Sequence, residues 1–275
     1  MRPLPRDYQI VDLLFHCRAL TQSQIQIALF SLHDPTSCAR RLRTLVAERW
    51  IDRLPRRDAN EPFVYLLSRR STVGNHLMQQ VYGKEVYRAR TTRVGSLGHL
   101  LAINEVRVRV RRACQELGWH LATWLDSGEL APLLDRTLIP DAYFQSQREI
   151  GGQLRTSGFF LELERSTKAE IVLEHKLLRY AELHRSGRSQ ELFGTRAMRV
   201  LVIFSSDYRI LPRTRIESAK RLAERLGITL AFFAALEMLT AQPPPALLTA
   251  PLWSQAHQPE PIALFQFVDA PVEAR

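Results

Sequence analysis

Four residues in the second half of the chain have types and spacing that can do chemistry. Asp141 stands in LIPDAYFQ, and Glu162 and Glu164 stand two residues apart in GFFLELERST, residues 158–167. Successive side chains of a strand point to opposite faces. Both glutamates therefore share one face, while Phe159, Leu161 and Leu163 share the other. Neighbouring strands lie about 4.8 Å apart. If the strand that Asp141 begins is next to this one, three carboxylates can gather in one cleft. Such oxygen ligands suit Mg²⁺ or Mn²⁺, which can activate a water against a phosphodiester. A face open to water would make the same glutamates ordinary.

Lys176 bears on that choice. It sits in the helical segment after the strand, where Val172, Leu173, Tyr180 and Leu183 all fall within about 60° of it on a helical wheel. An ammonium in an apolar stripe is costly unless it is paired. The spacing thus predicts an ion pair from Lys176 to Glu162 or Glu164 on the sheet beneath.

The elements that must position these groups are legible from periodicity. LGHLLAINEVRVRVRRACQELG reads as a helix with the core stripe Leu100, Ile103, Val106, Val110, Ala113 and Leu117, ended by Gly118. HLATWL, LIPDAYFQ and the glutamate stretch read as three strands, the last two separated by a polar turn around Gly151, Gly152 and Ser157. Thr167 and Glu170 form a capping-box pattern that opens a helix to His184. RVLVIFSS, TRIESAKRLAERLG and ITLAFFAAL then read as strand, helix and strand. The order α-β-β-β-α-β-α-β predicts an α/β sheet covered by helices, with a first-helix acid, Glu105, on the side opposite the core stripe. A proline-rich stretch from Ala241, QPPPALLTAP, begins a tail whose apolar patches predict docking on the body.

The N-terminal third is different. Helical spacing covers residues 6–16, Thr21 and Gln24 form a capping box before a second helix, and Asp34-Pro35 opens a third that runs to about Trp50. On that third helix Ala39, Leu42, Leu45, Val46 and Arg49 share one side. Thr36, Ser37, Arg40, Arg43 and Thr44 face the other way, with Arg41 on the flank. Hydroxyls and guanidinium forks suit phosphates and guanine edges in a major groove. WIDRL and FVYLL follow as a hairpin that carries Arg53, Arg56 and Arg57 near the phosphate backbone. Three helices and a hairpin make the order of a winged helix-turn-helix. The expected domains are 1–84 for this module, 85–96 for a linker after a closing helix near 73–82, 97–240 for the α/β domain, and 241–275 for the tail. The chain is α+β overall.

Composition agrees with this division. The 275 residues carry a net charge of +10. Residues 1–95 hold 16 Lys/Arg against 8 Asp/Glu, and the remaining 180 hold 22 against 20. A basic module on a nearly neutral body points to a polyanion partner. The apolar runs are too short for a membrane span, and the N-terminus lacks the apolar block of a signal peptide. Three distant cysteines with no CxxC argue for a reducing cytoplasm and against zinc. His16, His33, His99, His120 and His175 are scattered and read as surface or capping residues.

The order αβββαβ, with PD and then two acids on the next strand, resembles the PD-(D/E)xK nuclease core. The whole chain resembles the replication-relaxation family of bacterial plasmids and other mobile elements. The likeness rests on RDYQIVDLL, RRLRTLVAERWIDR, VYLLS, PDAYF, FFLELERST and EHKLLRYAEL. It implies a winged-helix protein that binds double-stranded DNA, with a nuclease-like second domain and a role in plasmid replication, relaxation or mobilisation. Asp141 matches the motif aspartate and Glu162 the second acid. The motif lysine's place is taken by Glu164, and Lys176 can substitute from the helix. The expectation is therefore a non-enzymatic DNA-binding protein with a degenerate nuclease site, working with a replication initiator or relaxase and able to form a homodimer. The alternatives are an Mg- or Mn-dependent endonuclease or nickase using Asp141, Glu162, Glu164 and Lys176, and a winged-helix transcriptional regulator.

Overall fold

A computed structural model describes residues 3–56, 58–68, 79, 81, 96–136, 138–165, 170–205 and 211–265. The chain divides into two compact units, Met1–Arg109 and Val110–Arg275. Arg57, Thr167, the linker and nearly all of the closing helix expected near 73–82 lie outside the described residues.

The first unit runs α1 (Pro5–Cys17), β1 (Ala19–Thr21), α2 (Gln22–Leu29), α3 (Pro35–Ala47), β2 (Ile51–Arg53) and β3 (Val64–Leu67). The three strands form an antiparallel sheet in the order β1-β3-β2. The expected three helices and hairpin are all present. β1 is an addition, since three residues are too few to show a period. Ile10, Leu14, Leu20, Ile25, Leu42 and Ile51 are fully buried and form the core. Local signals set the helix starts. Thr21 Oγ1 accepts from Gln24 N at 3.2 Å while Gln24 Oε1 accepts from Thr21 N at 3.0 Å, which satisfies two orphan donors of α2. Asp34 Oδ1 accepts from Ser37 N at 3.1 Å to cap α3.

The third helix stops sooner than expected. It ends at Ala47, and Arg49 takes a left-handed conformation at φ 60°. Arg49 is exposed rather than packed with Leu45. The turn lets Trp50 N bond back to Leu45 O at 2.9 Å, and the 7% exposed indole returns to the core beside Ile51.

Helix α4 (Leu97–Glu116) starts in the first unit and ends in the second. In the first unit, buried Asn104 donates Nδ2 to Cys17 O and Ala19 O, both at 2.8 Å, and Val108 joins the core. Val106, Val110 and Ala113 of the expected stripe are buried, and Gly118 has the expected positive φ of 68° after the helix.

The second unit continues with β4 (His120–Asp126), α5 (Ser127–Leu133), β5 (Ala142–Ile150), β6 (Gln153–Glu164), α6 (Glu170–Arg185), α7 (Arg188–Phe193), β7 (Met198–Phe204), α8 (Pro212–Arg225), β8 (Ala231–Ala235), α9 (Leu236–Thr240), α10 (Ala246–Thr249) and β9 (Ser254–Gln255). One six-stranded sheet has the order β4-β5-β6-β7-β8-β9. The pairs β6–β7 and β7–β8 are parallel, and the other pairs are antiparallel. Parallel strands covered on both faces explain the continuous apolar runs of β7 and β8. The β5–β6 turn is two glycines, Gly151 at φ 58° and Gly152 at φ 74°, as a tight hairpin loop with two positive φ angles requires. Ser157, expected in that turn, lies within β6 instead.

The even-numbered face of β6 packs Phe160 among Tyr143, Tyr180 and Phe193. On the other face Phe159 stacks on Phe144 with ring centroids 4.7 Å apart. There Phe265 meets Phe159 and lies under the guanidinium groups of Arg148 and Arg199. The described part of the proline-rich tail is thus built into the fold. Trp253 is fully buried, its Nε1–H donates to Leu247 O at 2.9 Å, and β9 extends the sheet.

Gly158 is needed where β6 enters the core. A Cβ there would fall 2.5 Å from the Tyr143 Oη. Tyr143 is wedged between Phe160 and Phe193, so it has little room to yield. Gly158→Ala is expected to destabilise the protein by about 1–3 kcal/mol, as overpacking does. A urea midpoint equal to the wild type's would contradict this packing.

Candidate functional site

The acid cluster is built by register. β5 and β6 pair Ala142 with Leu161, and Asp141 N donates to Leu161 O at 3.0 Å. The Asp141 carboxylate accepts from Leu163 N through Oδ2 at 2.7 Å, reaching across to the strand that carries the glutamates. Glu162 is 1% exposed and Glu164 9%. Their face is therefore covered, not solvated. α6 lies over it, and Lys176 Nζ donates to Glu162 Oε2 at 2.6 Å and to Glu164 Oε1 at 3.1 Å. The ion pair expected from the helical stripe is present, and one ammonium spans both acids.

Tyr180 completes the cluster. Its hydroxyl donates to Glu162 Oε1 at 2.6 Å, and the residue is fully buried. Sequence reasoning placed Tyr180 on the stripe but gave it no partner. The usable signal was that a buried tyrosine needs a partner for its hydroxyl, and Tyr180 follows Lys176 by one helical turn. Arg215 is a second addition. It donates to the main-chain carbonyl of Glu164 at 3.2 Å and lies over the Phe204 ring.

Burial pushes the Glu162 carboxyl up to about 7, and the nearby Asp141 pushes the same way, against the pull of Lys176 and Tyr180. Burial opposes the charge on Lys176, but the two glutamates outweigh it and hold the ammonium above its usual range. Burial and the charge on Glu162 raise the Tyr180 phenol. A carboxyl whose folded pKa lies above its unfolded value binds its proton more tightly in the folded state. The Glu162 contribution to stability is then full below about 4.5 and is lost as pH rises toward about 7. A carbon-13 titration of the glutamate side chains should find one carboxyl with a midpoint near 7. Midpoints all below 5 would contradict the burial of Glu162.

The donor set does not fit a divalent metal in this arrangement. Each oxygen of Glu162 already accepts one hydrogen bond, from Lys176 or from Tyr180, and Glu164 shares the same ammonium, so a metal would have to compete with that ammonium for both glutamates. Among the described residues no three His, Cys, Asp or Glu side chains are grouped to hold a metal ion. A lysine ammonium already pairs with both glutamates. Glu105, the first-helix acid, belongs to neither the cluster nor bulk water. It pairs with Arg109 at 2.7 Å and accepts from Gln24 Nε2 at 3.1 Å.

In the first unit, α3 presents the expected polar face. Thr36, Arg40 and Arg43 are exposed, and Ser37 and Thr44 are half-buried. Arg40 and Arg43 make no ion pair with a described residue. Two hydroxyls of this face are engaged locally, Ser37 with the capping Asp34 and Thr44 with Arg40 O. Arg41 is bound into the fold. Its guanidinium makes a two-point pair with the fully buried Asp7, and that hydrogen bonding holds the guanidinium charge more firmly than usual. Leu4, Arg6, Gln9, Phe30, Ser37, Arg40, Arg41 and Thr44 line a groove of about 550 Å³ on this side, with Arg6 over the Phe30 ring. On the hairpin, exposed Arg53 and Arg56 both stack on Phe63, at 4.6 and 4.1 Å from its centroid. Arg56 also donates to Ala59 O at 2.6 Å.

Cys17, Cys38 and Cys114 are free and buried, and burial raises the Cys38 thiol to about 12 and Cys114 to about 11. They are packing groups rather than nucleophiles. Among the described residues no helix is long and apolar enough to cross a membrane.

These features define a two-unit protein. A basic helical unit with a three-stranded sheet precedes a mixed six-stranded sheet with a buried carboxylate–lysine cluster. The chain belongs to the replication-relaxation family, whose family model matches residues 12–197. That span takes in α3, the hairpin, the acid cluster and Lys176. No curated protein and no solved structure matches the chain.

Proposed function

We propose that this protein is a non-enzymatic DNA-binding accessory of plasmid replication or relaxation on a bacterial mobile element. Its first unit works as a winged helix-turn-helix that lays α3 in the major groove of duplex DNA. Arg40 and Arg43 supply the main contacts, Thr36 and Thr44 the edge contacts, and Arg53, Arg56 and Arg57 the backbone contacts of the wing. Arg41 acts by holding that helix through Asp7, and Ser37 by donating to the capping Asp34. The observation that carries the reading is the pair of exposed arginines on α3, neither ion-paired with a described residue, in the third of the chain that holds most of the positive surplus. Membership of the replication-relaxation family supports the plasmid role. A replication initiator or relaxase at the same DNA region is the partner class that this role implies.

The second unit is read as a nuclease-like body that no longer cuts. Lys176 and Tyr180 engage the Glu162 oxygens that an active site would offer to a metal. Supercoiled plasmid incubated with the protein and Mg²⁺ or Mn²⁺ should stay supercoiled. Nicking that disappears in Asp141→Ala would overturn this reading and make the protein a metal-dependent nickase.

A further inference from the structure

A cavity of about 620 Å³ opens on the second unit beside the acid cluster. Its lining is cationic and aliphatic. Arg136, Lys176 and Arg179 supply charge, His175 an imidazole, and Ile139 and Leu178, 49% and 43% exposed, supply apolar wall. Among the described residues no carboxylate lines it. Arg136 and Arg179 are exposed and make no ion pair with a described residue. Neighbouring acids are engaged elsewhere. Asp135 pairs with Arg188, and Glu162 and Glu164 lie behind Lys176.

Two features preorganise the cations. Asp135 and Arg136 are consecutive left-handed residues, φ 53° and 58°, and Arg136 N is tied to Ala131 O at 2.9 Å. Such conformations cost energy and persist only where the surroundings fix them. Lys176 is fixed by its two glutamates. An ammonium has three N–H donors. No described residue takes the third, and Lys176 lines the cavity.

We propose that this cavity binds a nucleoside monophosphate unit, either free or as the 5′-phosphorylated end of a DNA strand. The volume lies within the range of small-molecule sites. Two guanidinium forks and one ammonium N–H match the oxygens of a phosphate. The exposed Ile139 and Leu178 give a flat base or sugar an apolar surface. A bare inorganic anion would leave that surface wet, and a purely apolar ligand would strip water from unpaired arginines. The inference stands apart from the duplex-binding reading, because it concerns other residues in the other unit.

Calorimetry on the full-length protein tests it, with dTMP, thymidine and inorganic phosphate as probes. dTMP should bind saturably, phosphate at least tenfold more weakly, and thymidine not detectably. Arg136→Gln and Arg179→Gln should each weaken dTMP by about tenfold, with the melting temperature unchanged. Duplex affinity through Arg40 and Arg43 should be untouched in both variants, so failure here is distinguishable from failure of duplex binding. A 5′-phosphorylated single-stranded oligonucleotide that outbinds both its 5′-hydroxyl form and dTMP identifies a strand end as the source, while dTMP outbinding the oligonucleotide identifies the free nucleotide. No saturable heat with dTMP, equal binding of thymidine, or full affinity in the Arg136→Gln/Arg179→Gln double variant would overturn the proposal.

Discussion

Replacing Arg40 and Arg43 together with alanine should cost duplex affinity at least tenfold near physiological salt and leave the fold intact. The two side chains are one turn apart on α3, exposed, and engaged with no acid in an ion pair among the described residues, so truncation removes charge without disturbing the core. Each arginine that no longer neutralises a phosphate leaves its counterions on the DNA. The slope of log affinity against log salt should therefore become shallower by about 2. Arg41→Ala should behave differently. It strands the fully buried Asp7 carboxylate, so its first effect is on stability rather than on the salt slope. Fluorescence anisotropy across a salt series, with circular dichroism melts alongside, separates the two cases. An unchanged slope in the double variant would remove α3 as the recognition element.

Lys176→Met should strongly destabilise the second unit. It removes the only cation within hydrogen-bond reach of the Glu162 and Glu164 carboxylates among the described residues and leaves Glu162 under the helix at 1% exposure. Breaking a buried pair from one side typically costs about 3–5 kcal/mol. The loss should be greater at pH 8 than at pH 5. Without Lys176 the buried Glu162 holds its proton even more tightly, and only high pH forces the bare charge on it. Glu162→Gln/Lys176→Met should recover part of the loss, because an amide can still accept from Tyr180 and only the less buried Glu164 carboxylate is left without its ammonium. Urea unfolding at the two pH values reads this directly. A Lys176→Met variant within about 0.5 kcal/mol of wild type, the scatter of an ordinary surface change, would show that the ion pair does not hold the site.

Much of this was legible from residue types and spacing. Alternation put Glu162 and Glu164 on one face of a strand, and the 3.6-residue stripe put Lys176 over them. Those inferences survive because a strand's period of two and a helix's stripe depend on local geometry alone. Capping patterns at Thr21 and Asp34 fixed helix starts for the same reason. What was not legible depends on long-range packing. Arg41 sits on the edge of the α3 wheel, and only the fold brings Asp7 of α1 beneath it. β1 gains its identity solely from pairing with β3. Glu105 was legible only as an acid opposite the core stripe, because its partners, Gln24 and Arg109, depend on packing within the first unit. The end of α3 was misjudged because Arg49 and Trp50 continue its period, while the left-handed turn at Arg49 reflects the pull of the Trp50 and Ile51 side chains into the core.

We propose that the first unit holds duplex DNA chiefly by its charge. The most direct measurement is the binding of the full-length protein to a fluorescent duplex at salt concentrations from about 50 to 200 mM, where phosphate-driven affinity changes most steeply. Binding should be tight at the low end, with a log–log slope of about −4.5, as five phosphate contacts by Arg40, Arg43, Arg53, Arg56 and Arg57 would give. No binding at the lowest salt, or an affinity that does not change across the series, would contradict it.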